Sequence, residues 1–177
     1  MNYMNTPNLV PLYAEMFVVV AASAILLVDM FLSDAKRHLT YVMSLLTLVG
    51  AAFISYVDFS AGTTVYTMSN MFVSDPMAGL LKMFTYLATG LTLIYSRQYV
   101  DQRGMTGGHL GGEFYVLALF SMVGQMVMIS ANNMLTVYLG LELMSLALYA
   151  LVAMRRDHGV STEAAMKYFI LGALASG

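Results

Sequence analysis

FYVLALFSMVGQMVMISANNMLTVYLGLELMSLALYALVAM, Phe114 to Met154, runs for forty-one residues with a single charge, Glu142. As one helix it would reach about 61 Å at roughly 1.5 Å per residue, twice the thickness of a hydrocarbon core. It must therefore fold back as two helices, and SANN, Ser130 to Asn133, is the break. Water cannot satisfy backbone amides in lipid, so spanning segments of this kind are helices that close their own hydrogen bonds.

The rest of the chain reads the same way. Of its 177 residues 59% are apolar and 10% charged, with a mean hydropathy of +0.73; a soluble domain carries about 25% charged residues. Apolar segments cover about 12–32, 39–57, 76–96, 114–130, 134–154 and 162–177. The expected fold class is therefore all-α: one multi-pass transmembrane domain over residues 1–177, a bundle of six helices with the last one truncated. Asp75 and Pro76 are placed to open the third helix as cap and first-turn residue. The first segment is too long, and lacks the charged flank, for a cleaved signal peptide. The last ends with no cap, flanking charge or aromatic anchor, so we expect the chain to end inside a helix.

Loop charge sets an orientation. Lys36, Arg37, Arg97, Arg103, Arg155 and Arg156 fall after the first, third and fifth helices, and the other connections and the N-terminal segment hold no Lys or Arg. The positive-inside rule puts those loops in the cytoplasm and the N-terminus outside. The net charge of −2 offers no surface for nucleic acid, and with no cysteine the chain has no disulfide, thiolate metal site or cysteine-held iron–sulfur cluster. Gly104 to Gly112, GMTGGHLGG, lacks the G-K-[ST] ending and the preceding strand of a phosphate loop and reads as a linker. His38, His109 and His158 are isolated and lack metal-ligand spacing. No metal or cofactor is expected on this chain.

What remains are charges inside helices. Glu142 lies near the centre of the fifth helix, where a charge costs roughly 2.5–3.5 kcal/mol on insertion scales and calls for a partner or a water cavity. Tyr138, Glu142, Ser145 and Tyr149 recur at spacings of four, three and four and share one stripe, with Leu139, Leu143, Leu146 and Ala150 opposite. The alternative is a protonated Glu142 that only glues helices. Lys167 lies in STEAAMKYFILGALASG, where Ser161 is placed to cap the sixth helix. It can snorkel and pair with Glu163 four residues before it, but Ala164, Ala165, Gly172, Ala173, Ala175 and Ser176 make a small-sided helix and favour burial. Lys82, seven residues into the third helix, is read as snorkelling. Glu15 and Asp29 are read as interfacial, Asp29 reaching toward Lys36 or Arg37, and Gln125 as a polar bridge. Lys82 and Asp29, with Tyr138, Ser145 and Tyr149, are secondary site candidates. An acid and a lysine in a low-dielectric interior form a protonation switch, because a change in their separation moves both proton affinities.

LGLELMSLALYALVAM and STEAAMKYFILGALASG resemble the antiporter-like membrane subunits of bacterial NADH-quinone oxidoreductase, the respiratory complex I, which are related to Mrp-type cation/proton antiporters. Within that group Leu141, where sister subunits have tryptophan before the glutamate, points to the subunit N family. The resemblance implies that Glu142 and Lys167 match the glutamate of helix 5 and the lysine of helix 6 in a buried proton relay. It implies proton translocation in the bacterial inner membrane, coupled to electron transfer from NADH to quinone. FMN and iron–sulfur clusters would sit on partner subunits, and the partners would be other membrane-arm subunits and the lipid bilayer. The alternatives are a stand-alone Mrp-type cation/proton antiporter subunit and a helical scaffold without a transport role.

Overall fold

A computed structural model describes residues 8–32, 38–102, 112–155 and 158–176. Lys36, Arg37, Arg103, His109 and Arg156, and the glycine-rich stretch before Gly112, lie outside the described residues. Among those described there are six α-helices: α1 Tyr13–Asp29, α2 His38–Ala61, α3 Pro76–Gln102, α4 Glu113–Ile129, α5 Met134–Ala153 and α6 Gly159–Ser176. A 3-10 turn, Val10–Leu12 with Pro11 in it, leads into α1. Four of the helices, α1 with its leading turn, α2, α3 up to Val100, and α5, are long and apolar enough to cross a membrane; α4 is apolar but shorter. The all-α bundle of six helices is thus the observed architecture.

Helices α1 to α4 share one core. Val18, Ala22 and Ile25 of α1 meet Leu48 and Ala51 of α2, Tyr86 and Leu93 of α3, and Leu119, Met122, Val123 and Met126 of α4. Outward-facing residues are apolar too, for instance Phe53, Phe84, Leu87 and Leu91. Such a surface is costly in water and natural against lipid tails. Helix α5 packs mainly on α4, and α6 on α5.

Local chemistry sets the ends. Asp75 Oδ1 accepts the Ala78 amide at 2.6 Å and Pro76 occupies the first position of α3, a paired cap and starter. Asn133 caps α5 by accepting the Leu135 amide at 2.9 Å, so the SANN break is built from a finished α4 and a capped α5. Helix α6 starts at Gly159, two residues before the expected Ser161 cap. Arg97 and His38, read as loop residues, lie within α3 and α2; Arg97 Nη2 is 3.1 Å from His38 Nδ1, and its guanidinium lies over the Tyr41 ring.

A two-stranded hairpin joins α2 to α3. Strands β1 Val65–Thr67 and β2 Phe72–Ser74 pair antiparallel, with Tyr66 opposite Val73. Met68, Ser69 and Asn70 in the turn all have positive φ, a conformation that costs energy for residues with a side chain. Outside contacts hold it in place. Val73 donates its amide to Ser130 O at 2.8 Å, Asn132 N donates to Met71 O at 3.0 Å, and the Asn132 side chain donates to Asn70 O at 2.8 Å. Thr67 Oγ1 also donates to Asn8 O. The hairpin is laced to the α4–α5 turn and to the segment before α1, and it lies across that end of the bundle.

Candidate functional site

The apolar outer faces make each charge within a helix conspicuous, and the structure sorts these charges into three groups. The first corrects the reading of Lys82. Rather than snorkelling, Lys82 is 4% exposed, and its Nζ lies 2.6 Å from Glu15 Oε1 and 5.2 Å from the centre of the Phe72 ring. Glu15, expected at the interface, is 5% exposed. Phe72 of β2 is itself buried, so the hairpin occupies space that a snorkelling lysine would need. A counter-charge at the same depth removes the drive to leave.

The second group is at the other end of α1. The buried Asp29 carboxylate accepts from Thr40 Oγ1 at 2.5 Å and from the Gly112 amide at 2.6 Å. Lys36 and Arg37, its expected partners, lie outside the described residues. Gly112 precedes α4, so Asp29 supplies in trans the acceptor that an N-terminal cap needs, next to the positive end of the helix dipole. A side chain at Gly112 would collide with Thr40 and Asp29. Asp29 is thus placed as a pin between α1, α2 and α4.

The third group contains the two charges singled out by spacing. Glu142 is half-buried on α5 and, among the described residues, has no hydrogen-bond or ion-pair partner. The face of α5 that packs on α4 carries Gly140 and Ala147, and at 100° per residue Tyr138, Glu142, Ser145 and Tyr149 project from the opposite side. Small residues therefore make the helix contact, and Leu139 and Leu146 stay exposed. Gly124 of α4 and Gly140 of α5 face each other: a Cβ on Gly124 would lie 2.6 Å from Gly140 O.

Helix α6 sits on the Glu142 side of α5. Tyr149 packs edge-on against Tyr168 and Phe169, at ring separations of 4.8 and 5.5 Å, and a side chain at Gly172 would strike its hydroxyl. Lys167 points elsewhere, and its expected burial is corrected. Its side chain is 69% exposed, and Nζ donates to Glu163 Oε1 at 2.5 Å. The aromatic contacts and Gly172 define the packed face of α6, which leaves Lys167 on an open one. Lys167 and Glu142 are not brought into contact. Gln125, the expected bridge, is half-buried and makes no hydrogen bond among the described residues.

The Glu15–Lys82 pair was missed as a pair, because spacing along one helix does not reveal a partner on another. The signal available was that both charges lie near the same end of the bundle, Glu15 just inside α1 and Lys82 just inside α3. Among the described residues no cluster of His, Asp and Glu could hold a metal ion.

Comparison with known proteins gives a consistent result. Residues 131–177, which carry Glu142, Glu163 and Lys167, match the transmembrane family described as NADH:quinone oxidoreductase/Mrp antiporter. The chain is 66% identical over 174 residues to NADH-quinone oxidoreductase subunit N of Herminiimonas arsenicoxydans, covering 98% of this chain and 35% of that protein. With subunit N of Thiobacillus denitrificans it shares 52% over 167 residues, 94% of this chain and 34% of that one. Its fold matches a chain of respiratory complex I from Thermus thermophilus with a TM-score of 0.70 at 25% identity, over 92% of this chain and 34% of the other. The chain spans about a third of the length of the curated relatives it matches. In sequence over nearly all of its length the chain resembles NADH-quinone oxidoreductase subunit N, and in fold it resembles a chain of respiratory complex I.

Proposed function

We propose that this chain is part of a proton-translocating subunit in the membrane arm of an NADH-quinone oxidoreductase, in a bacterial inner membrane. NADH, quinone, FMN and iron–sulfur chemistry belong to partner subunits. The proposed task of this chain is to move protons when that chemistry shifts charge along the membrane arm. Glu142 and Lys167 are its proton-carrying groups, with Tyr138, Ser145 and Tyr149 as hydroxyls along the same stripe of α5. The N-terminus and the hairpin face outward, and Arg155 lies on the cytoplasmic side.

One observation carries the reading. Glu142, within the family-matched segment, projects from the face of α5 that its α4 partner leaves open, and has no partner there. An intramembrane acid faces protein or water rather than lipid, so that face is where further helices or a water-filled path belong. Lys167 is on an open face of α6 with Glu163 as a local counter-charge, poised to exchange one partner for another. The energetic scale is modest. Each proton moved against the membrane potential costs about 2.3 kcal/mol per 100 mV, and one pKa unit is about 1.4 kcal/mol.

The test is Glu142→Gln in the full-length protein within its assembled complex. We expect normal assembly with fewer protons moved per NADH. Pumping at the wild-type ratio removes Glu142 charge from the mechanism. A second reading, a stand-alone cation/proton antiporter, is favoured by the breadth of the matched family, whose description also includes Mrp antiporters.

A further inference from the structure

Beneath the hairpin, Glu15 is buried with Oε1 2.6 Å from Lys82 Nζ, yet among the described residues neither of its carboxylate oxygens is met by a donor in hydrogen-bond geometry. A buried carboxylate oxygen left without a donor is costly, and such atoms in native folds are met by water or mark a working group. Nor is a buried ion pair a strong reason for stability, since well-packed apolar residues often do as well or better. Polar side chains also lie one turn away on the neighbouring stretches of α2 and α3. Tyr86 lies four residues beyond Lys82 on α3, one turn deeper, and its Oη is 2.9 Å from Ser55 Oγ of α2. Asp58 lies one turn beyond Ser55 toward the hairpin end of α2. The ion pair and the Ser55–Tyr86 hydroxyl pair lie on α1, α2 and α3, helices other than the α5 and α6 that carry Glu142 and Lys167.

We propose that Glu15 is a second proton-loading carboxylate of this chain, paired with Lys82 beneath the hairpin and separate from the Glu142 and Lys167 groups. In the resting pair Lys82 is an ammonium and Glu15 a carboxylate. Transfer of one proton from Lys82 Nζ to Glu15 gives a neutral amine and a neutral carboxylic acid, breaking one N–H bond and making one O–H bond. The amine then regains a proton delivered from the cytoplasmic side, and the carboxylic acid releases its own to water on the hairpin side. The cycle returns to its start with one proton moved outward. Phe72 over Lys82 keeps bulk water from the pair between transfers.

This inference rests on the proton-pumping reading, and the experiment separates the two. Complexes carrying the full-length protein as wild type, Glu15→Gln, Glu15→Asp, the double variant Glu15→Gln with Lys82→Met, and Glu142→Gln are compared for assembly and for protons moved per NADH oxidised in sealed vesicles. We expect Glu15→Gln to lose at least half of the wild-type ratio, Glu15→Asp to recover most of it, and the double variant to stay as low as Glu15→Gln. A double variant that pumps normally overturns the proposal, since removing both charges would then have cured only an unpaired buried charge. A normal ratio for Glu15→Gln with a lowered one for Glu142→Gln overturns this inference and leaves the pumping reading standing. Normal ratios in both overturn both. If the single variant fails to assemble, the double variant, free of an unpaired charge, decides alone.

Discussion

Asp29, Glu15, Lys82, Glu142 and Lys167 are all ionisable groups in helices, yet neighbours give them different tasks. Asp29 holds the Thr40 hydroxyl and the Gly112 amide. Asp29→Ala removes a charged acceptor from two buried donors and should cost about 1.5–3 kcal/mol for each bond lost, offset in part by relaxation. Asp29→Asn keeps one acceptor oxygen and should cost less; thermal unfolding of the full-length protein in detergent checks the order. Lys167, with Glu163 beside it in the open, is the residue for a paired comparison. On the proton-carrying reading Lys167→Ala impairs pumping more than Lys167→Arg, because arginine keeps a charge at the site. Equal and normal pumping by both would show that Lys167 is merely a solvated helix charge. The residue types and their depth were readable in the chain, but the partners were not, since Lys82 meets Glu15 across sixty-seven positions of sequence.

Helix pairs differ in what holds them. Helices α4 and α5 approach through Gly124 and Gly140, so closely that a Cβ on Gly124 would sit 2.5 Å from the Met144 amide nitrogen. In lipid, close packing of small residues substitutes for the hydrophobic effect in joining helices. Gly124→Val should therefore destabilise by about 1–3 kcal/mol or more, as overpacking does, and lower the unfolding midpoint in detergent, whereas Leu139→Val on the exposed face should change it little. The hairpin is an element of another kind. It depends on the Asn132 side chain and the Ser130 carbonyl for its position, and Asn132→Ala should loosen it, seen as faster amide exchange across Val65–Ser74. Its strands are too short to pair stably alone, so nothing in the local pattern of VYT and FVS announced them strongly against the long apolar helices around them.

At the scale of the molecule, α1 to α4 form a closed core, Lys167 lies on an open face of α6, and Glu142 lies half-buried on the side of α5 that α6 covers in part. Extraction of the full-length protein in mild detergent should bring NADH dehydrogenase activity with it; a clean preparation without that activity favours the antiporter reading. From sequence alone came the six-helix membrane fold, the reversal at SANN, the caps at Asp75 and the charged positions, because hydropathy, helix length and capping are properties of contiguous residues. The burial of Lys82, the trans cap by Asp29, the open placement of Lys167 and the hairpin over Glu15 were decided by tertiary structure. Each depends on which helix lies beside which, and burial by a neighbour outweighs the local preference of a charged side chain for the interface.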